Sequence, residues 1–362
     1  MTTAKLDQAL KKALNGGELD RDDLIVILTP ADDGEREAIR AAAREMRSRR
    51  TGDLIFTYGF VYLSTYCRND CRFCAFRLSN PEARRYRKTA PEIVDASKRL
   101  ADQGVNLIDL TMGEDPKAQD PDYINQIAQI ISEVRRATGL AVMISPGRAS
   151  GQALEKYRAA GADWYACYQE THNPDLFTRL RRGQSYEDRW RSKLEAVKAG
   201  LLVEEGALCG VGETAGDLAD SILAMKKLGA AQVRAMGFVP PAEAAADQDG
   251  RWVAAPEPGA AQNREVDMIA ALRLALPDRL IPASLDVEGL AGLKTRLQAG
   301  ANLVTSLVPA DLNLAGVAQA SLDIDNHARS IDGIRPVLAE AGLRLASPGE
   351  YQAWLRESAV RP

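Results

Sequence analysis

From about residue 55 onward the sequence alternates short β-branched or aromatic runs with longer stretches of helical periodicity, which signals βα units around a parallel sheet. The candidate strands are Thr57–Leu63, Val105–Leu110, Ala141–Ile144, Asp163–Tyr168, Val203–Leu208, Gln232–Met236, Leu280–Ser284 and Asn302–Ser306. Eight strands are what a closed barrel needs, so the expected class is α/β, a (β/α)8 TIM-type barrel. Between the strands, Ala90–Gln103 follows Thr89 and carries Pro91 in its first turn, and Asp122–Thr138 repeats apolar residues at helical spacing. Residues 1–50 read as an N-terminal helical cap, with apolar faces from Leu6, Leu14, Leu24, Leu28 and Ile39. The barrel is expected over 51–330 and a C-terminal helical tail over 331–362. The Ala-, Pro-, Asp- and Gly-rich stretch Pro240–Pro258 reads as a surface loop or lid.

With 46% hydrophobic and 27% charged residues, the chain can bury a sizeable core. Its net charge of −4 gives no general attraction to nucleic acid or anionic lipid, and the short basic run Arg47–Arg50 reads as the solvated end of a helix. There is no apolar signal core, and no stretch approaches the roughly 20 apolar residues that span a bilayer. A cytoplasmic protein without nucleic-acid or membrane partners is expected. Five cysteines make no disulfide framework in a chain of this length, and three of them fall within eight positions. That crowding points to a metal centre.

Cys67, Cys71 and Cys74 follow the first candidate strand, at the C-terminal mouth where barrel active sites lie. Their Cys-x3-Cys-x2-Cys spacing suits one iron–sulfur cube, and ordinary cubes take four thiolates. Only three are local, so one iron stays open. An open iron suits the amino and carboxylate groups of S-adenosylmethionine (SAM), whose sulfonium releases a 5′-deoxyadenosyl radical on one-electron reduction. The expected cofactors are a [4Fe-4S] cluster and SAM. A structural zinc loop is the alternative, but such sites close with four ligands, and His172 and His327, the chain's two histidines, make no Cys/His pair beside the loop. Cys167 and Cys209 fall in candidate strands and read as small core residues.

Barrel interiors are apolar layers, so polar residues at strand ends need a reason. The second strand ends Asp109-Leu110-Thr111-Met112-Gly113-Glu114-Asp115-Pro116, where carboxylates and a Gly-bearing turn suit an ammonium group and Asp115 also suits helix capping. The third ends Ser145-Pro146-Gly147, a tight turn with an available hydroxyl. The fourth ends Tyr168-Gln169-Glu170-Thr171, with Arg189 beyond it. Glu170 and Arg189 suit the two ends of an amino acid, including that of SAM, or else pair with one another on the surface. The candidate SAM contacts on these grounds are Gly113, Glu114, Ser145, Glu170 and Arg189. Arg234, inside an otherwise apolar run, must pair or be costly. Ser284 and Asp286 share one face of an extended segment. Asp109 and Asp286 on ammonium groups, with Arg234 and Ser284 on a carboxylate, would hold a zwitterionic amino acid.

The segments Tyr62-Leu63-Ser64-Thr65-Tyr66-Cys67, Asp109 to Pro116, Met143-Ile144-Ser145-Pro146-Gly147, Tyr168 to Thr171 and Ile281-Pro282-Ala283-Ser284-Leu285-Asp286 with Glu288-Gly289 resemble the radical SAM methylornithine synthase (PylB) family of pyrrolysine biosynthesis. The resemblance runs from about residue 20 to about 340. It implies a radical SAM mutase that rearranges L-lysine to (3R)-3-methyl-D-ornithine: a side-chain hydrogen is abstracted, the Cα–Cβ bond breaks, and the glycyl fragment re-adds. It places Asp109 and Asp286 on the substrate ammonium groups, Arg234 and Ser284 on its carboxylate, Glu170 and Arg189 at SAM, and Phe73 at adenine or as a loop anchor. The expected partners are an amino-acid substrate and a low-potential reductant such as flavodoxin or ferredoxin. This chain departs from the family at Gly237-Phe238-Val239-Pro240-Pro241-Ala242-Glu243, where the family tends to Thr-Phe-Leu-Pro-Gln-Glu-Gly-Thr-Pro, and at Ala75-Phe76, where it has two tyrosines. The alternatives are a related amino acid, chemistry like that of biotin synthase or the hydrogenase maturases, and a non-catalytic zinc protein.

Overall fold

Each of the eight expected runs becomes a strand in a computed structural model that describes residues 2–240, 253, 257, 259–286, 288–309 and 329–360. The barrel strands are β1 (Leu54–Ser64), β2 (Leu107–Met112), β3 (Ala141–Ser145), β4 (Trp164–Ala166), β5 (Leu202–Cys209), β6 (Gln232–Gly237), β7 (Pro282–Ser284) and β8 (Leu303–Leu307). They run parallel in the order β6-β5-β4-β3-β2-β1-β8-β7. β6 and β7 meet through a bridge between Gln232 and Leu280, at the N-terminal end of β6, where the Val233 amide donates to the Leu280 carbonyl at 2.9 Å. No ladder joins β6 and β7 above that bridge among the described residues. The barrel is thus joined at its bottom and parted at its top, beside the segment that follows β6.

Helices connect the strands on the outside, and the expected helices Ala90–Gln103 and Pro121–Thr138 form. The helix Ala215–Leu228, between β5 and β6, starts at a reciprocal cap: the Thr214 amide donates to Asp217 at 2.8 Å and the Asp217 amide to the Thr214 hydroxyl at 3.1 Å. The N-terminal cap consists of helices Thr2–Leu14, Arg21–Leu28 and Asp33–Thr51. Of the residues expected to form its apolar faces, Leu6, Leu24, Leu28 and Ile39 are buried and Leu14 is half-buried. Buried Arg47 ties this cap to the barrel wall by donating to the carbonyls of Leu297 (2.5 Å) and Ala301 (3.2 Å).

The C-terminal tail is helical over Ile331–Glu340 and Pro348–Val360, but it also contains a short strand, Arg344–Leu345, that pairs with Leu54–Ile55 at the start of β1. β1 extends below its barrel neighbours, and its unpaired edge takes the tail as a partner. The last helix then closes the bottom of the barrel. Trp354 stacks on Trp164 with ring centroids 5.9 Å apart, and Tyr351 meets Phe56 edge-on at 5.7 Å. With the bottom plugged, the open end is the C-terminal mouth. The expected lid Pro240–Pro258 lies almost wholly outside the described residues, as does His327.

Candidate active site

The ends of the strands surround a cavity of about 240 Å³, and Cys67, Cys71 and Cys74 line it together. The loop that carries them presses against the end of β2. A Cβ on Gly113 would stand 2.4 Å from the Tyr66 carbonyl and 3.0 Å from the Cys67 Cβ, so this contact needs glycine. The other side of the loop is fastened by a two-residue antiparallel pairing of Asp70–Cys71 with Arg181–Arg182. Within it, the Arg85 guanidinium holds three backbone carbonyls, those of Thr65 (2.6 Å), Phe76 (2.8 Å) and Arg77 (2.7 Å).

The thiols fit a cluster by chemistry as well as placement. Burial, reinforced by the charges of Cys71 and Cys67, pushes the Cys74 thiol up to about 12, and burial also raises Cys67. Thiolates in this pocket therefore require a cation, which cluster iron provides. The Cys71 sulfur already receives Gln184 Nε2 at 3.0 Å and Arg181 Nη1 at 3.4 Å, the kind of donor that tunes a cluster's potential. Among the described residues, no three His, Cys, Asp or Glu side chains converge on a single-ion site. The thiolates of a cube bind different irons, so cluster ligands need only ring a shared cavity.

Glu114 joins the cysteine loop to the strand ends. It accepts from Arg68 Nε (2.9 Å), Asn69 Nδ2 (3.0 Å) and the Arg148 amide (3.2 Å), with Arg189 Nη1 at 3.5 Å. Burial opposes its charge, but Arg189 and Arg68 overcome this and hold its carboxyl below the usual range. Gly147, at φ +76°, turns beneath it, and a Cβ there would stand 2.8 Å from the Glu114 side chain. Glu170 sits at φ +69°, rare for a residue with a side chain, and is buried. Its Oε1 pairs with Arg181 at 2.8 Å, while its Oε2 is buried without a hydrogen-bond partner. Burial raises its carboxyl despite Arg181 and Arg189. Arg189, also buried, donates from Nε to the Tyr168 carbonyl at 2.7 Å.

Deeper in the mouth, Asp109 accepts from the Ser145 hydroxyl at 2.7 Å. Burial pushes its carboxyl up to about 7, a rise that Ser145 offsets in part and the Glu204 charge reinforces. Arg234 is gripped on three sides: Nε by Glu204 at 2.7 Å, Nη1 by the Thr305 hydroxyl at 3.2 Å, and Nη2 by the Tyr58 hydroxyl. Across the cavity, Asp286 accepts from Ser284 (3.1 Å), Ser306 (2.6 Å) and Arg329 Nη2 (2.7 Å). Burial opposes its ionisation, but Arg329 and Ser306 outweigh it and lower its carboxyl.

Known proteins share this fold. The radical SAM superfamily model matches residues 61–225. The chain is 38% identical over 357 residues to the 3-methylornithine synthase of Methanosarcina acetivorans, covering 98% of this chain and 99% of that one. It belongs to the methylornithine synthase family of radical SAM proteins. A solved structure of a methylornithine synthase (PylB) superposes with a TM-score of 0.86 at 36% identity, over 96% of this chain and 99% of that chain. The [FeFe] hydrogenase maturase subunit HydE of Thermotoga maritima is 31% identical over 79% of this chain and 80% of its own length. Radical SAM proteins use a [4Fe-4S] cluster and SAM, so membership of the family brings both cofactors.

In this family member the cavity brings together Phe73, Gly113, Glu114, Ser145, Glu170 and Arg189 of the expected SAM set and Asp109, Arg234 and Asp286 of the expected substrate set. Ser284 does not line it; its hydroxyl supports Asp286 and Ser306 from behind. The Ser145 hydroxyl is engaged by Asp109, which sets it among the substrate residues. Glu170 and Arg189 form no surface bridge with one another, since both are buried and each takes a different partner. Phe73 lies beneath the Arg181 guanidinium, 5.0 Å from its ring centre. Asp115 caps the turn Pro116–Gln119 and pairs with Arg87 at 2.8 Å. Sequence reasoning missed Tyr58, Arg181, Glu204 and Arg329. Glu204 alone carried a signal, being a carboxylate inside a strand that otherwise reads as core.

Proposed function

We propose that this chain rearranges the carbon skeleton of L-lysine to 3-methylornithine, with a [4Fe-4S] cluster on Cys67, Cys71 and Cys74. Support comes from near full-length similarity to two proteins named 3-methylornithine synthase, at 38% and 37% identity. The observation that carries the residue assignment is the joint lining of one cavity by three thiols, a carboxylate at Asp109 and a clamped guanidinium at Arg234. When bound, the cluster and SAM supply a 5′-deoxyadenosyl radical.

Everything else falls to the chain's own groups. Lysine carries two ammonium groups and one carboxylate. Asp109 receives one ammonium and Asp286 the other, and Arg234, which lines the cavity, takes the carboxylate. Because Arg234 is fixed by Glu204, Tyr58 and Thr305 before substrate arrives, little ordering cost remains for binding. Substrate and product are isomers, so these groups need only hold the two fragments in register; no net proton or atom is exchanged with solvent. Glu170 and Arg189 hold the amino-acid end of SAM, the buried Glu170 Oε2 being positioned to accept from its ammonium.

A low-potential reductant such as flavodoxin or ferredoxin supplies the electron, and we place the protein in the cytoplasm. No described helix is long and apolar enough to cross a membrane. Replacing Asp109→Asn or Arg234→Lys in reconstituted enzyme is expected to weaken lysine binding by about tenfold or more, at least ~1.4 kcal/mol, since the first removes the anion that meets an ammonium group and the second keeps the charge but loses the planar fork that pairs with a carboxylate. Lysine-dependent formation of 5′-deoxyadenosine should fall in parallel. Both variants binding lysine like the parent enzyme would overturn the assignment of the pocket.

A further inference from the structure

The chain as a whole is acidic, at −4, yet residues 68–88, which carry two of the three cluster cysteines, hold seven Arg or Lys against two Asp or Glu; Arg68 and Arg87 are paired inward with Glu114 and Asp115, Arg85 holds backbone carbonyls and Arg77 is buried, whereas Arg72 stands on the outer side. This local reversal has a defined position in the fold. Asn69, Cys71 and Phe73 line the cluster cavity, while Arg72, between them, lines a second cavity of about 460 Å³ together with Arg179 and Arg264. Arg72 donates its amide to the Leu180 carbonyl at 2.9 Å, so a single layer of chain separates the second cavity from the cysteines. Exposed Arg182 lies opposite Asp70 in the same two-stranded pairing, and exposed Arg179 is two residues before the Arg181 that touches Cys71. On the same loop, Leu78 is 62% exposed, the most exposed large hydrophobic side chain among the described residues, and its amide bonds to the Asn69 carbonyl at 2.8 Å. Exposed Leu78 and the guanidiniums of Arg72, Arg179 and Arg182 are all carried by the cysteine loop and the segment that pairs with it, and apolar and arginine side chains together are the composition of a docking face.

We infer that this outer face of the cysteine loop docks an acidic one-electron carrier protein. The inference deepens the radical function proposed above and rests on the cluster belonging at Cys67, Cys71 and Cys74. Charge complementarity selects the occupant. Two acidic proteins repel overall, and a basic face placed outside the cluster turns that repulsion into a single favoured orientation. The orientation sets the carrier against the loop that holds Cys71, one chain layer from the cavity. The transfer is a single electron: the carrier is oxidised and the cluster reduced by one, and no bond forms or breaks in the docked complex.

The test uses reconstituted holoenzyme, with flavodoxin as the probe carrier, and compares the parent enzyme with a variant carrying Arg179→Glu and Leu78→Ser. Both side chains are exposed and neither belongs to the SAM or lysine pockets. Flavodoxin binding, followed by calorimetry at low and high salt, is expected to weaken roughly tenfold or more in the variant and to lose most of its salt dependence. Iron content and 5′-deoxyadenosine formation driven by dithionite should match the parent enzyme, showing that fold and cluster are intact. Equal flavodoxin affinity in the two proteins, or parent binding that ignores salt, overturns the inference. Binding is read without turnover, so a holoenzyme that docks flavodoxin through these side chains yet leaves lysine unchanged upholds the face and counts against the proposed substrate.

Discussion

Asp109 is the residue at which environment most alters chemistry. With its carboxyl pushed up to about 7 by burial, it is largely a neutral acid below that pH. The sign of the consequence follows. Its folded value lies above the ordinary carboxylate value of about 3.9, so between those limits the native state holds more protons than the unfolded chain. Asp109 therefore costs stability progressively as pH rises through that window, and the cost is complete above about 7. An ammonium group binds the anion, so lysine binding should release about one proton below pH 7, and apparent affinity should fall tenfold per pH unit well below it. Calorimetry in buffers of different ionisation enthalpy checks both, and Asp109→Asn should flatten the profile. A second outcome belongs to Glu204, whose buried carboxylate lies 2.7 Å from Arg234 Nε. Glu204→Gln leaves a buried cation short of its partner, and denaturant unfolding should show a loss of about 3–5 kcal/mol. Asp109, Arg234 and Asp286 were legible as cavity residues because Asp109 and Asp286 are carboxylates near strand ends and Arg234 interrupts an apolar run. Arg329 was not, since it reaches Asp286 from 43 residues away and stands in a stretch without periodic pattern.

At the scale of elements, strand positions were readable because eight β-branched runs are separated by helical periods, and a parallel sheet buries both faces of its strands. What patterning did not disclose is how the ends are closed. The pairing of Arg344–Leu345 with β1 rests on two residues, too few to show an alternation, and the plug of Tyr351 and Trp354 depends on tertiary contact with Phe56 and Trp164. Removing that plug tests its weight. Trp354→Ala should lower stability by about 3 kcal/mol in denaturant titrations, as for other large aromatic truncations, while cluster content stays unchanged because the cysteines lie at the opposite end. The parted β6–β7 edge could not be read from either strand alone, since each carries an ordinary β pattern; the break appears only in their pairing, which stops at Leu280.

For the whole molecule, the plugged bottom and the cavity at the mouth make one reaction chamber, with the cysteine loop on one wall and the carboxylates and Arg234 deeper within. The three cysteines that share the cavity were the most legible part of the sequence, since their spacing and their place after the first strand mark them together. The clamp around Arg234 was the least, because Tyr58, Glu204 and Thr305 come from three different strands. That chamber is built to isolate a radical and return an amino acid with its atoms rearranged. Anaerobic incubation of the reconstituted protein with SAM, a low-potential reductant and uniformly ¹³C-labelled L-lysine, followed by carbon NMR of the products, tests this directly. The expected result is a branched isomer of lysine whose carbon connectivity is that of 3-methylornithine. Formation of 5′-deoxyadenosine with every labelled lysine carbon still in its original chain would contradict it.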